Sequence, residues 1–269
     1  MLVRILTALV GIPIILGLLY VGWWPLFALA AGMGLIGFHE YVRMWQQKGI
    51  HVARVPGFLS VLGLLLWAFL APDNAAVLGA VLSFAGLSTL TWLIFRYEQR
   101  NVVDALVTLA GIVYVGFLLS HLLLLRQVGG TGRGLDLGLK WLAFAFFSTW
   151  AADSFAYFAG RAFGNRKLAP LISPNKSVEG AIGGGVGTLA LGAFYAPVLA
   201  IAPWQGALIA LGAFALSVLG DLAESALKRY TGVKDSGSLL PGHGGVLDRF
   251  DSSLFTLPFV YYVARLFFF

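Results

Sequence analysis

Cysteine is absent from the 269 residues. That excludes disulfides, thiolate metal sites and a thiol nucleophile, and leaves the redox compartment undetermined. Charge is scarce: Asp, Glu, Lys and Arg make up 11% of the chain, where a soluble domain carries roughly 25%. An ordinary water-soluble globule is therefore excluded. The alternating short segments of an outer-membrane barrel are missing. So is a basic face interleaved with aromatics, and the net charge of +6 is not read as nucleic-acid binding. No small-x-small cleavage site ends the first apolar run. Its core, Ile5 to Val21, outlasts a signal h-region and Trp23-Trp24-Pro25 follows, so it is expected to stay as a span.

What remains is apolar: 59% of the residues, in segments longer than ~17 residues, enough to cross a bilayer as helices. The expected fold is all-α, a polytopic integral membrane bundle of about nine transmembrane helices. The segments are 4–22, 25–44, 56–71 (marginal in length), 75–95, 102–125, 139–160, 178–201, 204–227 and 251–268. With the N-terminus in the cytoplasm, only Arg126, Arg133, Lys140 and Arg265 of the 18 Lys and Arg fall outside. Basic residues are retained on cytoplasmic loops, so the count favours N-in, C-out. One membrane domain, 1–269, is expected: scaffold spans over 1–138, then catalytic spans over 139–269 with cytoplasmic loops 161–177 and 226–250.

The first half offers little chemistry. His39-Glu40 is an ionisable pair inside a span, and two readings stay open, a role in the site or helix packing near the interface. After residue 140 the character changes. Asp153, Tyr157 and Arg161 are spaced i, i+4, i+8 and share one helical face. They are either a structural pair or part of a site. Ser173-Pro-Asn-Lys176-Ser177-Val-Glu179-Gly180 reads as a helix start, with Ser173 or Asn175 as cap and Glu179 in the first turn. Amides there, with Lys176 and two hydroxyls, suit a phosphate. Gly180, Gly183, Gly184, Gly185 and Gly187 suit close helix packing. They are no dinucleotide fingerprint, since no βαβ unit precedes them.

The densest chemistry lies in 221–251. Asp221, Glu224, Ser225 and Lys228 line one face of the eighth span, and Asp248 and Asp251 stand one turn apart at the start of the ninth. Carboxylates are hard oxygen donors, and Mg²⁺ takes a few of them together with substrate phosphate oxygens. A second cation would allow a two-ion clamp on an in-line displacement. Lys228, Arg229, Lys234 and Arg249 can neutralise a polyphosphate and the charge on departing pyrophosphate. Gly242, Gly244 and Gly245 permit close backbone approach and positive φ. His243 can donate to a phosphate or shuttle a proton. The alternative is an ion-pair network at a membrane surface.

Ser225-x-Leu-Lys228-Arg229, then Lys234-Asp235-x-Gly237, then Leu240-Pro241-x-His243-Gly244-Gly245-Val-x-Asp248-Arg249-Phe-Asp251 resembles the C-terminal signature of the phosphatidate cytidylyltransferase (CDP-diacylglycerol synthase) family. Asp153-Ser-x-Ala-Tyr157 and Ser173-Pro-x-Lys176-Ser177-x-Glu179-Gly180 are similar to that family too. The resemblance covers about 148–255. It implies a Mg²⁺-dependent, dimeric enzyme of the inner membrane, its site on the cytoplasmic side, converting CTP and phosphatidic acid into CDP-diacylglycerol and pyrophosphate. It implies metal ligation by Asp221 and Asp248; Glu224, Asp251 and Asp153 are further candidates from the residues themselves. Lys228, Arg229, His243 and the adjoining glycines would hold the CTP phosphates. Arg161, Lys176 and Ser177 are expected to receive the lipid phosphate, and a phosphate of CTP is the open alternative for that site.

Three rivals are separable. An isoprenoid-ether lipid phosphate would undergo the same chemistry with other tails. An ion-coupled transporter would place its acids midway in the membrane and show an inverted repeat. A CDP-alcohol phosphotransferase would need an Asp-Gly-x-x-Ala-Arg…Asp-x-x-x-Asp motif, which is missing.

Overall fold

A computed structural model describes residues 13–130, 132–238 and 244–269. Residues 13–21 are helical and lead, through Gly22 and Trp23 at positive φ, into α1 (Trp23–Gln47). There follow α2 (Arg54–Leu70), α3 (Ala75–Phe95), α4 (Val102–Gln127, with a π-helical stretch at Ile112–Phe117) and α5 (Leu137–Phe163). A two-stranded hairpin, β1 (Lys167–Ala169) and β2 (Ser173–Ser177), precedes α6 (Val178–Leu199, its end tightened to 3₁₀), α7 (Pro203–Thr231) and α8 (Leu247–Phe267).

All nine apolar segments thus carry helix among the described residues. Among the described residues, five helices are long and apolar enough to cross a membrane: α1, α3, α4, α6 and α7. Helix α2 is apolar but has 17 residues. Helices α5 and α8 have the length, at 27 and 21 residues, but carry the ionisable groups of the candidate site. Ends are set by polar caps: the Asn74 side chain accepts from the amides of Ala76 and Val77, Asn101 and Asp104 form a reciprocal box, and Asp136 accepts from the Leu139 amide. Each such cap contributes about 0.5–2 kcal/mol.

The run at 173–177 departs from the expected helix start. Pro174 has no N–H and holds its predecessor extended, and Ser173–Ser177 pairs antiparallel with Lys167–Ala169. The helix begins only at Val178. Its cap is Ser177, whose Oγ accepts from the Gly180 amide at 3.1 Å, and neither Ser173 nor Asn175 has that role. Glu179 turns back to bind the amides of Asn165 and Arg166 and the Arg166 guanidinium.

The chain divides into two compact units. The first comprises described residues through Leu124 and those of Tyr230–Arg249. Its core holds Phe38, Tyr41, Met44, Leu64, Leu65 and Ile112. Gly57 and Gly111 leave room for the Phe38 and Tyr41 rings, and the Tyr41 hydroxyl donates to the Val107 carbonyl at 3.0 Å. The α1–α2 connection is tied to α4 by the His51 amide on Asp104 and the Ala53 amide on Thr108.

The second unit comprises Leu125–Arg229 and Phe250–Phe269. Helix α6 lies against α5 through its glycines. A Cβ at Gly180 would stand 2.8 Å from the Ala156 carbonyl, one at Gly184 3.0 Å from that of Ala152, and Gly183 and Gly187 press on Ala159 and Phe155. The packing reading of this glycine series is what the structure shows. Gly192 and Gly206 bring α6 onto α7 in the same way, and Gly220 brings α7 onto α8, where a Cβ would meet the Asp251 carbonyl at 2.6 Å.

Candidate active site

A cavity of about 550 Å³ opens in the second unit. Helix α5 gives it Asp153, Tyr157 and Arg161, the three residues that share one face. Strand β2 gives Ser173, Asn175, Lys176 and Ser177; α6 begins at its edge with Gly180 and Ala181, and Leu168, Ala152 and Val218 supply apolar wall. The close α5–α6 approach puts these two sets of polar side chains opposite each other. The Arg161 guanidinium donates to the Tyr157 hydroxyl at 3.1 Å and is exposed. Ser177 Oγ faces Gly160 and Gly164 while capping α6.

Through Lys176 the cavity connects to further acids. The Lys176 ammonium lies 2.6 Å from Asp221 Oδ2, and the other oxygen of Asp221 accepts from Ser225 Oγ at 3.2 Å. Asp153 is within electrostatic reach of Asp221, Asp251 and Lys176. Asp251 is within electrostatic reach of Asp221, Glu224 and Lys228. Glu224 is fully buried and bound by Lys228 at 3.1 Å. The Gly220 contact is what brings Asp221 beside Asp251. The structure therefore brings together Asp153, Arg161, Lys176, Ser177, Asp221, Glu224, Lys228 and Asp251.

Among the described residues no three His, Asp or Glu side chains stand at the spacing of a closed metal site. The donor chemistry nevertheless fits a hard cation. Three mutually repelling carboxylates, Asp153, Asp221 and Asp251, need positive charge between them, and here Lys176 gives part of it. A divalent ion that keeps several waters needs only one or two protein carboxylates.

In the first unit the signature loop is held by carboxylates of its own. Asp248 Oδ2 accepts from the Ser236 amide at 2.9 Å, the Ser236 hydroxyl at 3.0 Å and the Gly245 amide at 2.8 Å. Gly244 sits at φ +81°, where a Cβ would also meet Asp248. Glu40 Oε1 accepts from the Val246 amide and Oε2 from that of Leu247, both at 2.9 Å, and Ser236 Oγ lies 3.1 Å from Oε2. So Gly245, read as a phosphate cradle, gives its N–H to Asp248 in this state. Arg229, Lys234 and Arg249 are exposed. Gly242 and His243 lie outside the described residues.

Glu40 is the residue whose role the sequence left open. An acid inside a span was the available signal, but its partners are 206 and 207 positions away.

Over residues 2–267 the chain matches the family described as Cytidylyltransferase family. It is 38% identical to the phosphatidate cytidylyltransferase of Bacillus subtilis (strain 168), over 98% of this chain and 97% of that one. Its identity to the enzyme of that name from Synechocystis sp. is 37%, over 96% of this chain and 94% of the relative. For the one from Staphylococcus epidermidis (strain ATCC 12228) it is 34%, over 95% and 96%.

Proposed function

The chain belongs to the cytidylyltransferase family, and from that premise we propose that it transfers the cytidylyl group of CTP to phosphatidic acid, giving CDP-diacylglycerol and pyrophosphate. The supporting observation is a cavity lined by the cations Arg161 and Lys176 and the carboxylate Asp153, with Lys176 paired to a second carboxylate, Asp221. Cations alone would bind an anion and hold it. Carboxylates next to them supply the donor set for a metal that shields a second, more highly charged phosphate chain.

The lipid phosphate is ionised at neutral pH, so it needs alignment and charge shielding more than a general base. Arg161, Lys176 and the Ser177 hydroxyl receive it, and the apolar wall of Leu168, Ala181 and Val218 suits the glycerol and acyl stems. Its oxygen forms a bond to the α-phosphorus of CTP while the bond from that phosphorus to the bridging oxygen breaks. Pyrophosphate leaves with the electron pair. Lys228, Arg229, Lys234 and Arg249, with Gly242, His243, Gly244 and Gly245, are assigned to the nucleotide's phosphates, where positive charge and backbone N–H groups offset what develops on the leaving group. Asp221, with Asp153, Asp251 and Glu224 near it, would hold Mg²⁺, and the motif assigns Asp248 to the same chemistry. When bound, the ion supplies charge neutralisation and alignment of phosphate oxygens.

The protein is proposed to work in the inner membrane as a homodimer, with nine spans, N-in and C-out, and its site at the cytoplasmic surface. The test of function uses purified protein in detergent with phosphatidic acid and α-labelled CTP. Label should enter lipid with Mg²⁺ and stay in the nucleotide when Mg²⁺ is chelated. Label entering an ether-linked isoprenoid phosphate but not phosphatidic acid would contradict the substrate assignment.

A further inference from the structure

Glu40 is 4% exposed, on a helix with little other chemistry, and a buried carboxylate is costly unless its charge is matched by donors. Its donors are the amides of Val246 and Leu247 and the hydroxyl of Ser236, all from the two ends of the signature loop. The surroundings are shaped to admit it. A Cβ at Gly237 would collide with Glu40 Oε1, one at Gly245 would stand 2.6 Å from both Glu40 oxygens, and Gly37, one turn earlier on α1, lets Leu247 pack at 3.1 Å. Two glycines of the signature are thus required by a side chain from the opposite end of the sequence.

Ser236 joins this carboxylate to the second one. Its Oγ lies 3.1 Å from Glu40 and 3.0 Å from Asp248. A serine hydroxyl carries one proton, so it can give a full hydrogen bond to only one of the two. If Asp248 turns to another ligand, the hydroxyl can bond Glu40 fully, and the Val246 and Leu247 amides keep their acceptor.

We propose that Glu40 is a positioning residue for the reaction: it anchors both ends of the signature loop and the first turn of α8, so that Asp248 can exchange its loop bonds for a ligand without the loop coming loose. This rests on the reading that the loop takes the nucleotide. Glu40 itself touches neither substrate.

The test combines amide hydrogen exchange with steady-state kinetics on the full-length protein in detergent. Glu40→Gln preserves shape but replaces one acceptor by a donor facing N–H groups. Exchange at Val246 and Leu247 should quicken about tenfold or more, with α2 and α3 unchanged, while the KM for CTP rises about tenfold and that for phosphatidic acid stays within about twofold. Glu40→Asp, which keeps two acceptors, should fall between. Asp248→Asn should quicken Gly245 but leave Val246 and Leu247 protected. Unchanged exchange in Glu40→Gln overturns the anchoring. Faster exchange with an unaltered KM for CTP reduces Glu40 to a purely structural part and overturns the positioning role. Wild-type protein that fails to consume CTP refutes the proposed function instead, and the exchange arm still decides whether Glu40 holds the loop.

Discussion

Arg161 and Lys176 carry different burdens although both line the cavity. Lys176 is already bound to Asp221 and must give up that partner to serve a phosphate, whereas Arg161 contacts only the neutral Tyr157 hydroxyl among the contacts described. Arg161→Ala should therefore raise the KM for phosphatidic acid about tenfold, the size of a lost charge-assisted hydrogen bond, and leave that for CTP within about twofold. Mixed-micelle kinetics check this, and an effect confined to CTP would reassign the residue. The side chains that sequence reading grouped correctly are those joined by helix periodicity: Asp153 with Tyr157 and Arg161, Asp221 with Ser225, Glu224 with Lys228. Spacings of three and four residues are local and can be read in one dimension. Glu40 could not be, because nothing near it in the chain marks the amides it binds. Nor could the engagement of Asp248 with its own loop, which depends on how Ser236 and Gly245 fold back on it.

Helices were legible because an apolar run of membrane length has few alternatives; every backbone group must be satisfied within the segment. The β1–β2 hairpin was not, since its five-residue second strand is polar and looks like a cap. What decides there is Pro174 and pairing with Lys167–Ala169. The glycine series of α6 gives a prediction at this scale. Gly184→Val should force Phe214 and α5 away, at a cost of about 1–3 kcal/mol from overpacking. It should lower the thermal midpoint in detergent and reduce turnover by splaying the cavity. Gly86→Ala on α3, where a Cβ meets nothing within 4 Å, should be neutral or mildly stabilising. Equal tolerance of both would show that the close α5–α6 approach is dispensable.

For the whole molecule, the absence of cysteine becomes an experimental asset. Single cysteines at Arg133 and Asn165 can be probed in intact cells with an impermeant maleimide. N-in, C-out topology predicts labelling at Arg133 from outside and at Asn165 only after permeabilisation; the reverse pattern would invert the orientation. The membrane class and the family were legible from composition and from the 225–251 motif. The division into units was not: residues 230–249 group with the N-terminal helices and not with the second half of the chain. The account as a whole depends on the cavity's cations and the acids paired with them carrying a nucleotide onto a lipid phosphate. The most direct measurement is transfer of α-label from CTP into lipid by Asp221→Asn protein, purified alongside wild type and matched for assembly by size exclusion. The account predicts a loss of about a hundredfold or more, as expected for removal of a group that stabilises transition-state charge; near-normal transfer would contradict it.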